Sequence, residues 1–97
     1  MTIELSEAVN VRGNMTTTVE VKTPKVGHEE DALEKATLIG RGSNTVTLEM
    51  CLFSELTGIA YDTFREMNTA DYNKVREAVN SLIRPTIQNQ DKKTQKV

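Results

Sequence analysis

The residues able to do chemistry in this 97-residue sequence are few and scattered. His28 is the sole histidine and Cys51 the sole cysteine, so a nucleophile and its base would have to be built from those two alone. Cys51 lies in the apolar run "EMCLFSEL", where a thiol behaves as a small hydrophobe and burial raises its pKa; the expectation is a core cysteine. His28 reads as a solvated or helix-capping residue. One nitrogen and one sulfur ligand are too few for a typical zinc site. Glu29, Glu30, Asp31 and Glu34 lack the spacing of a calcium loop and fit the acidic front of a helix instead. "GRGSNTV", Gly40 to Val46, has part of a glycine-rich phosphate loop, but it lacks the third glycine, a clear preceding strand and a P-loop lysine. It reads as a loop between helices. An enzyme is therefore the weakest reading, and no catalytic residue, metal or cofactor is expected.

A more informative cluster is aromatic. The chain has two tyrosines and two phenylalanines, and Tyr61, Phe64 and Tyr72 fall close together at two helix junctions in "ELTGIAYDTFREMNTADYNKVREAV". Burying such a side chain contributes roughly 1.5–3 kcal/mol, so a core role is one reading. A partner surface is the other. Phe64 reads as mainly structural, whereas the tyrosine hydroxyls suit a half-wet rim.

The elements that must position these residues follow from periodicity. Ile3, Leu5, Val9 and Val11 occupy alternate positions broken only by Glu7, and Met15, Thr17, Val19 and Val21 repeat the alternation after "RGN". Gly13 and Asn14 tolerate positive φ, so the two runs form a β-hairpin. Pro24 closes the second strand. "EEDALEKATLI" reads as a short helix, acidic at its front with Lys35 further along. From about Val46 to Ile59, Leu48, Leu52, Leu56 and Ile59 share a face with Cys51 beside them, and Met50 and Phe53 widen the apolar arc. Gly58 suits the helix C-terminus. Asp62 is placed to cap a short helix carrying Phe64 and Met67, and Thr69 to cap the next. In that last helix Tyr72, Val75, Val79, Leu82 and Ile83 form the stripe, with Asp71, Lys74, Glu77 and Asn80 facing mostly away. Pro85 is expected to stop it, leaving 86–97 as a disordered tail. The fold class is thus α+β: one domain over 1–85, a hairpin followed by a small bundle of about four helices.

Charge and hydropathy narrow the function further. A net charge of −2 with interleaved signs does not suit a general polyanion binder. No run approaches the length of a membrane span, and "MTIELSEAV" lacks the layout of a signal peptide. These features, with the single cysteine, imply a cytoplasmic protein. Two helices joined by a tight turn raise a different class, a small helix-turn-helix DNA-binding regulator, with Asn73, Lys74, Arg76, Asn80 and Arg84 as the base- and phosphate-facing residues. Asp71 and Glu77 interleaved among them argue against it, and no nucleic-acid partner is expected.

With these residues in view, the sequence resembles the tail assembly chaperones of Mu-like and related contractile-tailed bacteriophages. The resemblance is carried by "LTGIAYDTFREMNTADYNKVREAV": the stop at Leu56, Thr57 and Gly58, a short second helix, and the Asp71–Tyr72 pair that opens the last helix. The hairpin "VNVRGNMTTTVEV" agrees, as does "KTPKVGHEEDALEKA" with its Pro24 and Gly27, so that the likeness runs from about Ile3 to Leu82. His28 departs from the family's pattern, in which an aspartate follows the glycine; Asp31 lies one turn on. The resemblance implies a non-enzymatic helper in the cytoplasm of the bacterial host, absent from the mature virion. Such proteins keep the largely helical tape measure protein soluble until tail tube subunits polymerise around it. It further implies a frameshifted longer form that could engage the tail tube protein. Oligomeric state is left open, a homo-oligomer included. An exposed helix stripe asks for a small apolar groove with side chains that repack. Met50, Phe53, Tyr61, Phe64, Met67 and Tyr72 are the partner-binding candidates.

Overall fold

The structure, a computed structural model, describes the backbone of residues 1–96 and the side chains of residues 1–83; Pro85 does not stop the last helix as expected, because that helix continues through it to Lys96. An antiparallel hairpin, β1 (Thr2–Val11) and β2 (Asn14–Glu20), precedes four helices: α1 (Val26–Leu38), α2 (Thr45–Thr57), α3 (Tyr61–Glu66) and α4 (Thr69–Lys96). The expected α+β class, with a hairpin and four helices, is what forms. The turn is one residue earlier than the sequence suggests. Val11 pairs with Asn14, and the positive φ values are those of Arg12 (52°) and Gly13 (89°). Asn10 Oδ1 accepts the Gly13 N–H at 2.7 Å and closes the turn.

The break at Glu7 has a structural cause. Between the pairs Glu4↔Thr18 and Val9↔Thr16, β1 advances five residues and β2 two, so three residues of β1 bulge out of the ladder. Leu5 and Val9 still point inward on either side of the bulge and join Val19 and Val21 in the main core. Met15, expected on the inner face, is 67% exposed.

That core is completed by Phe53, Leu56, Ile59, Phe64, Val75, Ala78 and Val79. Gly58 ends α2 in the left-handed conformation, with φ 81°, and a β-carbon there would also meet Arg12 Nε at 3.0 Å. Ile59 lies just past this stop and bridges back to Val11, while Lys22 N–H donates to Leu56 O at 2.9 Å. The hairpin is therefore tied by backbone to the end of α2. A smaller cluster of Ala32, Ala36 and Cys51 seats α1 on α2, its small side chains allowing close approach, and Lys35 pairs with Glu55 at 2.9 Å. Helix α1 begins at Val26 rather than Glu29. His28 Nδ1 accepts the Lys25 N–H at 3.0 Å, so the histidine caps the helix.

Three further expectations are corrected. Ala60, which offers no side-chain cap, precedes α3, and Asp62 lies within its first turn. Asn68, not Thr69, caps α4: its Oδ1 accepts the Asp71 N–H at 2.8 Å. Asp71 does not face solvent. It is 1% exposed and receives the bulge: Oδ1 accepts Ser6 N–H at 2.9 Å, and Oδ2 accepts Ser6 Oγ–H at 3.0 Å and Glu7 N–H at 3.2 Å. Asn68 Nδ2 donates to the same Oδ2, and Lys74 Nζ lies 3.8 Å from Oδ1. Burial alone would raise this carboxyl's pKa, but the Ser6 and Glu7 hydrogen bonds hold it below the ordinary value.

Replacing Asp71 with alanine strands two part-buried amides and the Ser6 hydroxyl and should destabilise the fold by about 2 kcal/mol, lowering Tm by roughly 8–16 °C in a domain of this size. The depressed pKa means that the carboxylate's contribution is complete above the ordinary aspartate value of 3.8 and is lost as pH falls through the folded-state value. Asp71→Asn should therefore show a shallower loss of stability on acidification than the parent. Thermal melts across the acid range check both, and an alanine variant melting with the parent would remove the carboxylate from its structural role.

Candidate functional site

Where α2, α3 and α4 meet, the aromatic cluster forms one body. Phe53 and Tyr72 lie 5.4 Å apart by ring centroid, Phe64 and Tyr72 5.8 Å apart and close to perpendicular, and Phe53 and Phe64 6.3 Å apart in an edge arrangement. Phe53 and Phe64 are buried, whereas Tyr72 is half-buried. Above this floor is an open groove of about 290 Å³ lined by Val46, Met50, Phe64, Met67 and Tyr72, with Arg65 and Thr69 at its margin. That volume is at the lower end of small-molecule sites. An open apolar trough of this size suits a few side chains of a helix better than an enclosed ligand.

The sequence explains the geometry. Gly58 turns the chain back so that α3 carries Phe64 against Phe53. The Met67–Asn68 turn then starts α4 with Tyr72 facing α2 one position after the buried Asp71. Successive helical residues are separated by about 100°, so Asp71 and Tyr72 address the hairpin and α2 in turn.

Tyr72 is fixed by polar neighbours. Its hydroxyl donates to Glu49 Oε1 at 2.7 Å, Arg76 Nη2 donates to the same oxygen at 2.8 Å, and the Arg76 guanidinium sits 5.1 Å from the Tyr72 ring centroid. Burial pushes the Glu49 carboxyl up, but the hydrogen bonds from Arg76 and Tyr72 outweigh it and hold the pKa below its usual value. Burial and the Glu49 carboxylate together push the Tyr72 phenol well up, so it stays a donor. Glu49 also lines a second apolar depression, about 380 Å³, between α1, α2 and α4, with Leu33, Leu48, Leu52, Val79 and Ile83. The Glu49–Tyr72–Arg76 cluster is thus the ridge between two apolar surfaces.

The structure brings Met50, Phe64, Met67 and Tyr72 together at the groove, while Phe53 packs in the core against Phe64 and Tyr72 and lines the second depression instead. Tyr61 is elsewhere. It packs on the Ala32, Ala36 and Cys51 cluster, and its hydroxyl is buried with no partner among the described residues. Val46, Glu49 and Arg65 are not among the sequence candidates, and Arg76 is there only as a base- or phosphate-facing residue. Glu49 had a signal: it is a lone carboxylate in the apolar stretch "TVTLEMCLF", where burial demands a partner.

Cys51 is fully buried and burial pushes its thiol up, as a core residue requires. Among the described residues no group of acidic, histidine or cysteine side chains could hold a metal, and no helix is long and apolar enough to cross a membrane. Of the residues proposed for base reading, Arg76 is engaged by Glu49 and Asn73, and Lys74 by Asp71 and the Glu4 carbonyl. The Arg84 side chain lies outside the described ones.

Removing the stranded hydroxyl in Tyr61→Phe should leave stability unchanged or raise it by up to about 1 kcal/mol, because a buried unpaired polar group is unfavourable. A Tm clearly below the parent's would mean that the hydroxyl has a partner.

No curated protein and no solved structure matches the chain. The profile of the family described as phage tail assembly chaperone proteins, E, or 41 or 14, matches residues 2–84, from the first strand into α4. That match takes in the hairpin, the Gly58 stop, the Asp71 anchor and every residue of the groove, and the chain belongs to this family of phage tail assembly chaperones.

Proposed function

We propose that this chaperone binds helical segments of the phage tape measure protein through the α2–α3–α4 groove and keeps that protein soluble until the tail tube polymerises. The observation that carries the reading is the groove itself. Val46, Met50, Met67 and Tyr72 form an open apolar surface over a packed aromatic floor. A long helical partner exposes apolar stripes before assembly, and a trough accepting residues at i, i+3 or i+4 and i+7 covers one segment at a time. Two unbranched methionines on the walls adapt to different side chains. The contact is small, so it is released when tube subunits compete for the same partner. The protein acts by binding alone, in the host cytoplasm, and is left out of the finished particle. A longer frameshifted product would add contacts to the tail tube protein, and self-association would present several grooves to one partner.

The test is co-expression with the tape measure protein encoded nearest to this chain, followed by affinity purification from the soluble fraction. A soluble complex, and an aggregated tape measure when the chaperone is omitted, is the expected result. The double variant Met50→Ala, Met67→Ala should reduce capture by roughly tenfold or more while shifting Tm by only a few degrees, since both residues are half-exposed walls rather than floor. If Leu33→Ala and Ile83→Ala abolish capture and the methionine variant does not, the contact belongs to the α1–α2–α4 depression and the groove reading fails. An insoluble tape measure with no complex would dismiss this partner altogether.

A further inference from the structure

The short helix α3 divides its charges by sign. Asp62 and Glu66, one turn apart, line an open cleft against the hairpin, which also carries Glu7. Arg65 points the other way and is the charged side chain lining the apolar groove. The remaining cation nearby, Arg76, is paired with Glu49 at 2.8 Å. Arg65 is exposed, and among the described residues it takes part in no ion pair. The groove therefore presents apolar walls and one uncompensated positive charge at its edge.

We infer that the groove selects amphipathic helices whose apolar stripe is flanked by a carboxylate, with Arg65 as the residue that reads that charge. This rests on the groove reading above and adds to it the chemistry of the partner. An aspartate or glutamate beside the stripe would sit against the guanidinium at the rim, where a planar fork can hold both carboxylate oxygens. A lysine at the same place would meet like charge. The contact is solvent-exposed, so it contributes discrimination between segments more than raw affinity. It makes a long helical partner non-uniform, with acid-flanked stripes covered in preference to base-flanked ones.

Two synthetic amphipathic peptides test this, identical in apolar stripe but flanked on both sides by glutamate in one and lysine in the other. Isothermal titration against the whole chain at low salt should favour the glutamate peptide by roughly threefold to fivefold, the range of an exposed ion pair. The preference should disappear near 1 M salt, where the screening length is about 3 Å. Arg65→Glu, an exposed change that leaves the floor intact, should reverse the order of the peptides at unchanged Tm. Equal binding of both peptides by the parent, lost in Met50→Ala, Met67→Ala, would overturn the charge selection and leave the groove standing. Binding of neither peptide would remove the groove and this inference with it.

Discussion

The arrangement depends on one carboxylate meeting two amides. A bulge in β1 releases the N–H groups of Ser6 and Glu7 from the ladder, and even a part-buried amide without a partner is costly. A buried carboxylate is costlier still unless it is fully hydrogen-bonded. Each group is the other's solution: Asp71 accepts both amides and the Ser6 hydroxyl, and its own N–H is held by Asn68. The bond set spans more than sixty residues of sequence, with a separation of 65 between Ser6 and Asp71. Hydrophobic contact between hairpin and helix would permit sliding and rotation. Directional bonds to one short side chain at the first turn do not. They fix the rotation of α4, and so the direction of Tyr72, one residue on.

Local signals in the sequence point away from this anchor. Hairpin, helices and the Gly58 stop are written in periodicity and in residues with special backbone freedom, and these signals are local. An aspartate near a helix start, as Asp71 is, has a sufficient local explanation in the macrodipole and so reads as facing solvent. Its position gave a contrary signal. Counting from Asp71, Val75, Ala78 and Leu82 stand at i+4, i+7 and i+11, the middle of the apolar stripe, so the helix that buries Val75 must bury Asp71 as well. The partner side had its own mark in Glu7, the one break in the alternation of β1. Each irregularity looks like noise alone; together they are the two halves of one interaction.

The groove was legible to the same degree. Four of the candidate residues, Met50, Phe64, Met67 and Tyr72, line one groove, and what singles them out in the sequence is that aromatic and methionine side chains near helix junctions are scarce in this chain. Periodicity could not say that Phe53 would lie beneath Tyr72, nor that Tyr61 would turn toward Ala32 and Ala36. Those facts depend on how α3 is aimed, and α3, at six residues, is too short to carry a periodic pattern of its own. Its orientation is set by Gly58 behind it and by the Asn68 cap ahead. The pairing of Glu49 with Arg76 is illegible for a different reason: a salt bridge between separate helices has no spacing rule.

The fold and the proposed groove are consequently held largely by different atoms. The anchor at Asp71, the left-handed turn at Gly58 and the alanine contacts of α1 fix the fold, and none of them lines the groove. The rim residues Val46, Met50, Arg65 and Met67 sit on elements whose positions are already determined from behind. The ring floor is shared between the two tasks, and there the Glu49–Tyr72–Arg76 cluster matters: it satisfies the one polar group of that floor from the far side of the groove, leaving the near side apolar. A surface built this way can change its side chains to suit a different helix while the domain beneath keeps its shape. On the groove reading proposed above, that division lets affinity be adjusted at the rim without disturbing the fold.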